Sequence, residues 1–183
     1  MDEDIPGLTK ALDTAYRAGI VTIASASNEG ANNFISYPAR LRTVFCIGAA
    51  DGKGFNAPFN PPCLGVEKYS ALGVGVLGAD IQAVYEEKEA TTQPFHKTFT
   101  RRSGTSTAVP LAAGIAATFL DFIRHFTDTS RSTENTARVR KLFLKMSEPS
   151  AGQSYRYLAP WLLFSTKSAE SSISSVLQSR AGE

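Results

Sequence analysis

Ser103-Gly104-Thr105-Ser106-Thr107-Ala108-Val109-Pro110, followed by the apolar run 111–120, decides how this chain is read. Gly104 and Pro110 bracket Ser106, and the segment behind them is apolar on every side, which predicts a buried helix with Ser106 at its mouth. The first turn of a helix leaves backbone N–H groups unpaired, and the aligned peptide dipoles add partial positive charge there. An oxyanion forming beside Ser106 would be stabilised by both. Gly104 allows a sharp turn and presents no side chain to a ligand. Pro110 cannot donate to the Ser106 carbonyl, an arrangement best tolerated near a helix start. A serine in this position also has a plain structural role, as an ordinary cap on a core helix.

Upstream, Ile20-Val21-Thr22-Ile23-Ala24-Ser25-Ala26-Ser27-Asn28-Glu29-Gly30 reads as a short apolar strand ending in a polar turn. Residues 20–24 show little polar alternation, which suits a strand covered on both faces. In open parallel sheets ligands bind at the carboxyl ends of strands, so Asn28 stands where a working polar group is expected. The octet Ser-Gly-Thr-Ser-x-Ala-x-Pro and the Asn-Glu-Gly turn together resemble the subtilisin-like serine proteases. Tyr37-Pro38-Ala39, the strand-like run 44–49 and Tyr69-Ser70-Ala71-Leu72-Gly73 follow in an order that fits that family. The resemblance implies a partial α/β fold: three layers, a mostly parallel sheet with helices on both faces.

Composition sets the frame. The chain has 183 residues, 43% of them hydrophobic, enough to bury one core. A net charge of +2 is too small to imply nucleic acid, and Arg101-Arg102 reads as solvated surface. The N-terminal Met1-Asp2-Glu3-Asp4-Ile5-Pro6 has the wrong chemistry for a signal peptide. The apolar stretch 108–120 falls short of the roughly 18 residues expected of a membrane span, and Asp121 closes it. Cys46 reads as core and Cys63 as a loop thiol, so no disulfide framework is expected. These features predict a cytoplasmic protein without membrane or nucleic-acid partners.

Residues 7–18 carry Leu8, Leu12, Ala15 and Tyr16 at helical spacing, with Gly19 as a stop. Residues 43–49 predict a second buried strand, and 51–62 a loop rich in Gly, Asn and Pro. Strand pieces follow within 74–84, then a solvated turn at 86–89 and an irregular approach over 91–102. A polar linker spans 127–136. Residues 137–146, with Val139, Leu142, Phe143 and Met146, predict an amphipathic helix. Residues 155–164 read as a terminal strand or arm. The chain divides into a partial peptidase domain, 1–164, and a serine-rich tail, 165–183, with the composition of a flexible segment apart from Ile173, Val176 and Leu177.

The resemblance implies Ser106 as nucleophile and the Asn28 side-chain amide as an oxyanion-hole donor. It also implies Ser25, Ala26 and Ser27 as one wall of the pocket for the substrate residue, with Ser36 nearby. The family usually has glycine where this chain has Ser27. Peptide or protein is the implied substrate. No metal-ligand spacing, nucleotide loop or cofactor motif is visible. Backbone carbonyls near Tyr37 bind a cation in some relatives, a question of backbone geometry.

A serine nucleophile needs a base, normally histidine, and a carboxylate to orient it. The family's Asp-Thr-Gly and His-Gly-Thr motifs do not occur in the 27 residues before Asn28. His125, 19 residues beyond Ser106, would lie about 28 Å away along an unbroken helix. His96 reads as a surface residue, and Asp51 and Asp80 as turn residues. The resemblance thus covers the C-terminal half of a catalytic domain, predicted to be nearly inactive alone and to offer a hydrophobic sheet edge to a partner. The functional expectation is a serine endopeptidase whose aspartate and histidine come from an N-terminal half-domain. The alternative is a pseudoprotease or interaction module. A third reading, an α/β-hydrolase esterase, would need Asp121 and His125 downstream of Ser106, and both fall on one predicted helix.

Overall fold

A computed structural model describes residues 5–62, 67–79, 99–126, 134–148 and 155–164. The first helix, α1 (Pro6–Arg17), starts on proline, whose missing N–H costs nothing there. It ends at Arg17, two residues before Gly19, whose φ of 74° turns the chain away, and none of its residues is fully buried. It is tethered by side chains instead: Tyr37 Oη lies 3.1 Å from Thr9 Oγ1, and Thr43 Oγ1 donates to Asp13 at 3.3 Å.

Strand β1 (Ile23–Ser25) follows, then a 3-10 turn at Gly30–Asn32 and strand β2 (Phe45–Ala50). Strand β3 (Tyr69–Leu72) leads into an antiparallel ribbon, β4 (Val76–Ala79) with β5 (Phe99–Arg102). Then come α2 (Thr105–Phe126), α3 (Asn135–Lys145), β6 (Ser147–Glu148), β7 (Arg156–Leu158) and a final turn of helix, α4 (Trp161–Phe164). The main sheet has the order β1-β2-β3-β7-β6. Every neighbouring pair is parallel except β6 with β7. The fold is therefore the mostly parallel α/β sheet that the sequence implies.

Alternation along β2 sorts the core. Phe45, Ile47 and Ala49 face α2 and α3, where they meet Tyr69, Ala71, Ala108, Ala112, Phe119, Val139, Leu142 and Phe143. Phe143 stands edge-on to Phe45 at 5.6 Å and to Tyr69 at 5.2 Å, pairs worth about 0.5–1.5 kcal/mol each beyond their buried area. The pleat turns Cys46 to the other side, into a smaller cluster with Ala26, Ile35, Ala39 and Tyr155.

Several sequence expectations need correction. β1 begins at Ile23, and its residues are only half-buried, because among the described residues it stands at the sheet's edge with a neighbour on one side alone. Residues 99–102 form a strand rather than an irregular approach, held by the ladder Val76↔Arg102 to Ala79↔Phe99. The helix behind Ser106 is not buried all round. Ala108, Ala112, Ala116, Phe119 and Ile123 form its buried stripe, at spacings of four, four, three and four. Leu111 is 40% exposed. The helix also outruns the predicted apolar stretch and is long and apolar enough, by length and composition alone, to cross a membrane. Its buried stripe packs on β1, β2 and β3. Residues 155–164 divide into a strand paired with β3 and a short helix. The tail 165–183, the turn 86–89, Cys63, Asp80 and His96 lie outside the described residues.

Candidate active site

Ser106 is the second residue of α2, exposed at the helix mouth beyond the carboxyl end of β3. The preceding turn is fixed by backbone bonds. Gly104 N–H donates to the Gly73 carbonyl at 2.8 Å, and Ser103 Oγ accepts from Gly75 N–H at 2.9 Å. Thr107 Oγ1 donates back to the Gly104 carbonyl at 2.6 Å, closing the turn from the helix side. Gly73 leaves no room for anything larger. A methyl group on it would stand 2.7 Å from Ala49 Cβ and 2.9 Å from the Gly104 oxygen.

Asn28 enters from the end of β1, far away in sequence. Its Oδ1 accepts from Thr105 N–H at 2.8 Å and from Thr105 Oγ1 at 3.1 Å. The carboxamide thus satisfies one of the unpaired donors at the start of α2, as a capping side chain does, but from another element. With Oδ1 committed, the amide must present Nδ2 elsewhere. A Cβ built on Gly104 would lie 3.3 Å from Asn28 Nδ2 and 3.3 Å from Ser106 Oγ, so both groups border the same small space. Any side chain on residue 104 would fill it.

Sequence reading brought Ser106 and Asn28 forward and missed Thr105. That residue is 1% exposed and makes both bonds to Asn28 Oδ1. Its only signal is its place beside the serine, where a threonine reads as an ordinary first-turn residue.

Of the four expected substrate-pocket residues, three are consecutive and the fourth is bonded to one of them. Ser25 ends β1, Ala26 is wholly buried, and Ser36 N–H donates to the Ala26 carbonyl at 2.9 Å. Ser27 holds a positive φ of 122°, and its Oγ accepts from Glu29 N–H at 3.2 Å. Asp51 is a turn residue, with Oδ1 accepting from Lys53 and Phe55 N–H at 2.9 Å each.

No base approaches Ser106 among the described residues. α2 runs unbroken to Phe126, so His125 sits at its far end, exposed. Asp121 lies on the same helix, so the acid and histidine required of a hydrolase elbow do not return to the serine.

A serine hydroxyl at the positive end of a helix over parallel strands, with a fixed carboxamide beside it, is a framework for serine-hydrolase chemistry. The chain belongs to the subtilase family, whose model matches residues 1–157. Subtilisin DY from Bacillus licheniformis is 35% identical over 116 residues, covering 62% of this chain and 37% of that protein. The M-protease of Shouchella clausii (strain KSM-K16) is 32% identical over 111 residues, covering 60% of this chain and 25% of that protein. The prenylagaramide maturation protease PagA superposes with a TM-score of 0.67 at 22% identity, over 88% of this chain and 55% of that one. For the patellamide maturation protease PatA the TM-score is 0.69 at 20% identity, over 95% and 58%. These two likenesses show the fold. The chain spans between a quarter and little more than a third of the length of the two curated relatives.

Proposed function

We propose that this chain is the nucleophile-bearing half of a subtilisin-like serine endopeptidase. Ser106 attacks the peptide carbonyl, and the Asn28 amide with the Ser106 backbone N–H receives the oxyanion. The observation that carries this reading is the pair of hydrogen bonds that Thr105 donates to Asn28 Oδ1, which fixes the amide before any substrate arrives. Donors oriented in advance cost no reorganisation as charge develops. The substrate is a peptide or protein, with Ser25, Ala26, Ser27 and Ser36 along the pocket that holds its side chain.

The aspartate and histidine come, on this reading, from an N-terminal half-domain outside these residues, in the same polypeptide or a separate one. Two features support a missing neighbour. Among the described residues, one edge of β1 has no paired strand. Beside it a groove of about 710 Å³ runs between Ile20, Val21 and Ile23 on one side and Val109, Ala113 and Leu120 of α2 on the other. Both are costly to leave in water.

Labelling with a fluorophosphonate probe tests the reading. The chain alone and its Ser106→Ala variant should both stay unlabelled, and adding a segment that carries the aspartate and histidine motifs should restore labelling to wild type only. Labelling of wild type alone would sink the half-domain assignment. Association of the two halves without labelling would favour a pseudoprotease that keeps the scaffold as an interaction module.

A further inference from the structure

α2 carries a second apolar groove, on a different side from Val109, Ala113 and Leu120. It holds about 410 Å³ and is lined by Leu111, Gly114, Ile115, Thr118 and Phe122 of the helix, together with Pro160. Thr118 Oγ1 donates to the Gly114 carbonyl at 2.9 Å, so its hydroxyl is satisfied within the helix and asks nothing of a partner. Apolar surface of this kind marks a place where something packs. We propose that residues 169–181 of this same chain, which lie outside the described residues, form a helix that packs along this groove.

Position comes first. β7 runs parallel to β3, so Pro160, just beyond its carboxyl end, lies on the side of the sheet where α2 begins. α4 then carries the chain to Phe164, and the five residues from there to Ala169 can span up to about 17 Å. From that point Ala169, Ile173, Val176 and Leu177 recur at spacings of four, three and one, a single helical stripe set among serines. A helix this short is marginal in water, so its stripe needs a surface to fold against. Length matches as well: from Ala169 to Ala181, and from Pro110 to Phe122, a helix rises by the same distance, about 18 Å. Laid beside α2 in the same direction, one register suits three positions at once. Ile173 falls opposite Gly114, where an added Cβ would meet nothing within 4 Å, so the largest side chain of the stripe meets the gap in the groove. Leu177 falls opposite Thr118, and Arg180 opposite the exposed Asp121, which is of opposite charge.

Disulfide trapping in the full chain tests this, in a Cys63→Ser background. Leu177→Cys is combined either with Thr118→Cys, in the groove, or with Ala117→Cys, one residue along α2 on the side of the other groove. Both helix positions are exposed, so neither substitution disturbs the core. Under mild oxidation the intramolecular disulfide should form at least about tenfold faster at 118 than at 117, because docking raises the effective concentration at one position only. Urea should erase that preference, and so should Ile173→Asp. Arg180→Asp should reduce it by about 1.5- to 5-fold, and adding Asp121→Arg should restore it. Equal rates at the two positions, or no disulfide at either, would overturn the proposal. Faster trapping at 117 would place the segment in the groove beside β1, and disulfide-linked dimers would give the surface to a second copy of the chain; each overturns it too. None of these readouts involves Ser106, so this inference and the proposed function fail separately.

Discussion

At Ser27 the backbone sits at φ 122°, where a β-carbon is strained and glycine is free. The Oγ bond to Glu29 N–H offsets part of that cost. Comparing Ser27→Gly with Ser27→Ala isolates the strain, because both lose the hydroxyl. The glycine variant should be the more stable by about 1–2 kcal/mol in chemical denaturation, and equal stabilities would show that the site carries no strain. Thr105 allows a second comparison, in the protein complemented to activity. Thr105→Val removes one of two bonds to Asn28 and keeps the backbone donor, so acylation should slow about 2- to 12-fold. Asn28→Leu removes the amide itself and should cost roughly 100- to 1,000-fold, a magnitude borrowed from subtilisin. If Thr105→Val proved as damaging as Asn28→Leu, the threonine would be doing more than orienting the amide. Ser106 and Asn28 were legible in sequence because their motifs are local. Thr105 was not, since it gains its role from Asn28, distant in the chain.

Elements show the same division. α3 was readable from its own periodicity, because the spacing of Val139, Leu142 and Phe143 already encodes which side is buried, and β2 was readable from its short apolar run, all six residues of which are buried. The burial of β1 and α2 was overestimated, since an apolar run reports only that a partner is wanted. β5 was missed because Thr100, Arg101 and Arg102 lack alternation, and its ladder with β4 spans residues whose pairing no local pattern announces. Where β3 ends and α2 begins, the two approach as closely as backbone permits, through Gly73 and Gly104. Gly73→Ala should therefore cost about 1–3 kcal/mol, since Ala49, Ala108 and the Gly104 carbonyl all stand within 3.0 Å of the new methyl. The same substitution should slow probe labelling in the complemented protein, by moving the turn that carries Ser106. Unchanged stability would mean that the helix start slides freely on the sheet.

For the molecule as a whole, the core's aromatic centre sets an upper pH limit. Burial first, and the Glu67 carboxylate second, hold the Tyr69 phenol far above its ordinary value near 10. Burial also raises Tyr157, with Asp51 adding to it. A folded value above the unfolded one contributes stability that is whole below about pH 10 and is lost as pH climbs towards the folded value. Unfolding free energy should fall above about pH 10, by up to roughly 1.4 kcal/mol per pH unit for Tyr69. Tyr69→Phe should flatten that slope between about pH 10 and 12, and an unchanged slope would place the alkaline sensitivity elsewhere. The strand order carries a consequence for synthesis. Tyr69 pairs with Arg156, so the middle of the sheet waits for a strand near the end of the described chain. Such long-range parallel pairing is slow to form. During translation β3 therefore leaves the ribosome well before its neighbour exists, and for that interval its backbone donors and acceptors on that side stay open to chaperones or to other nascent chains.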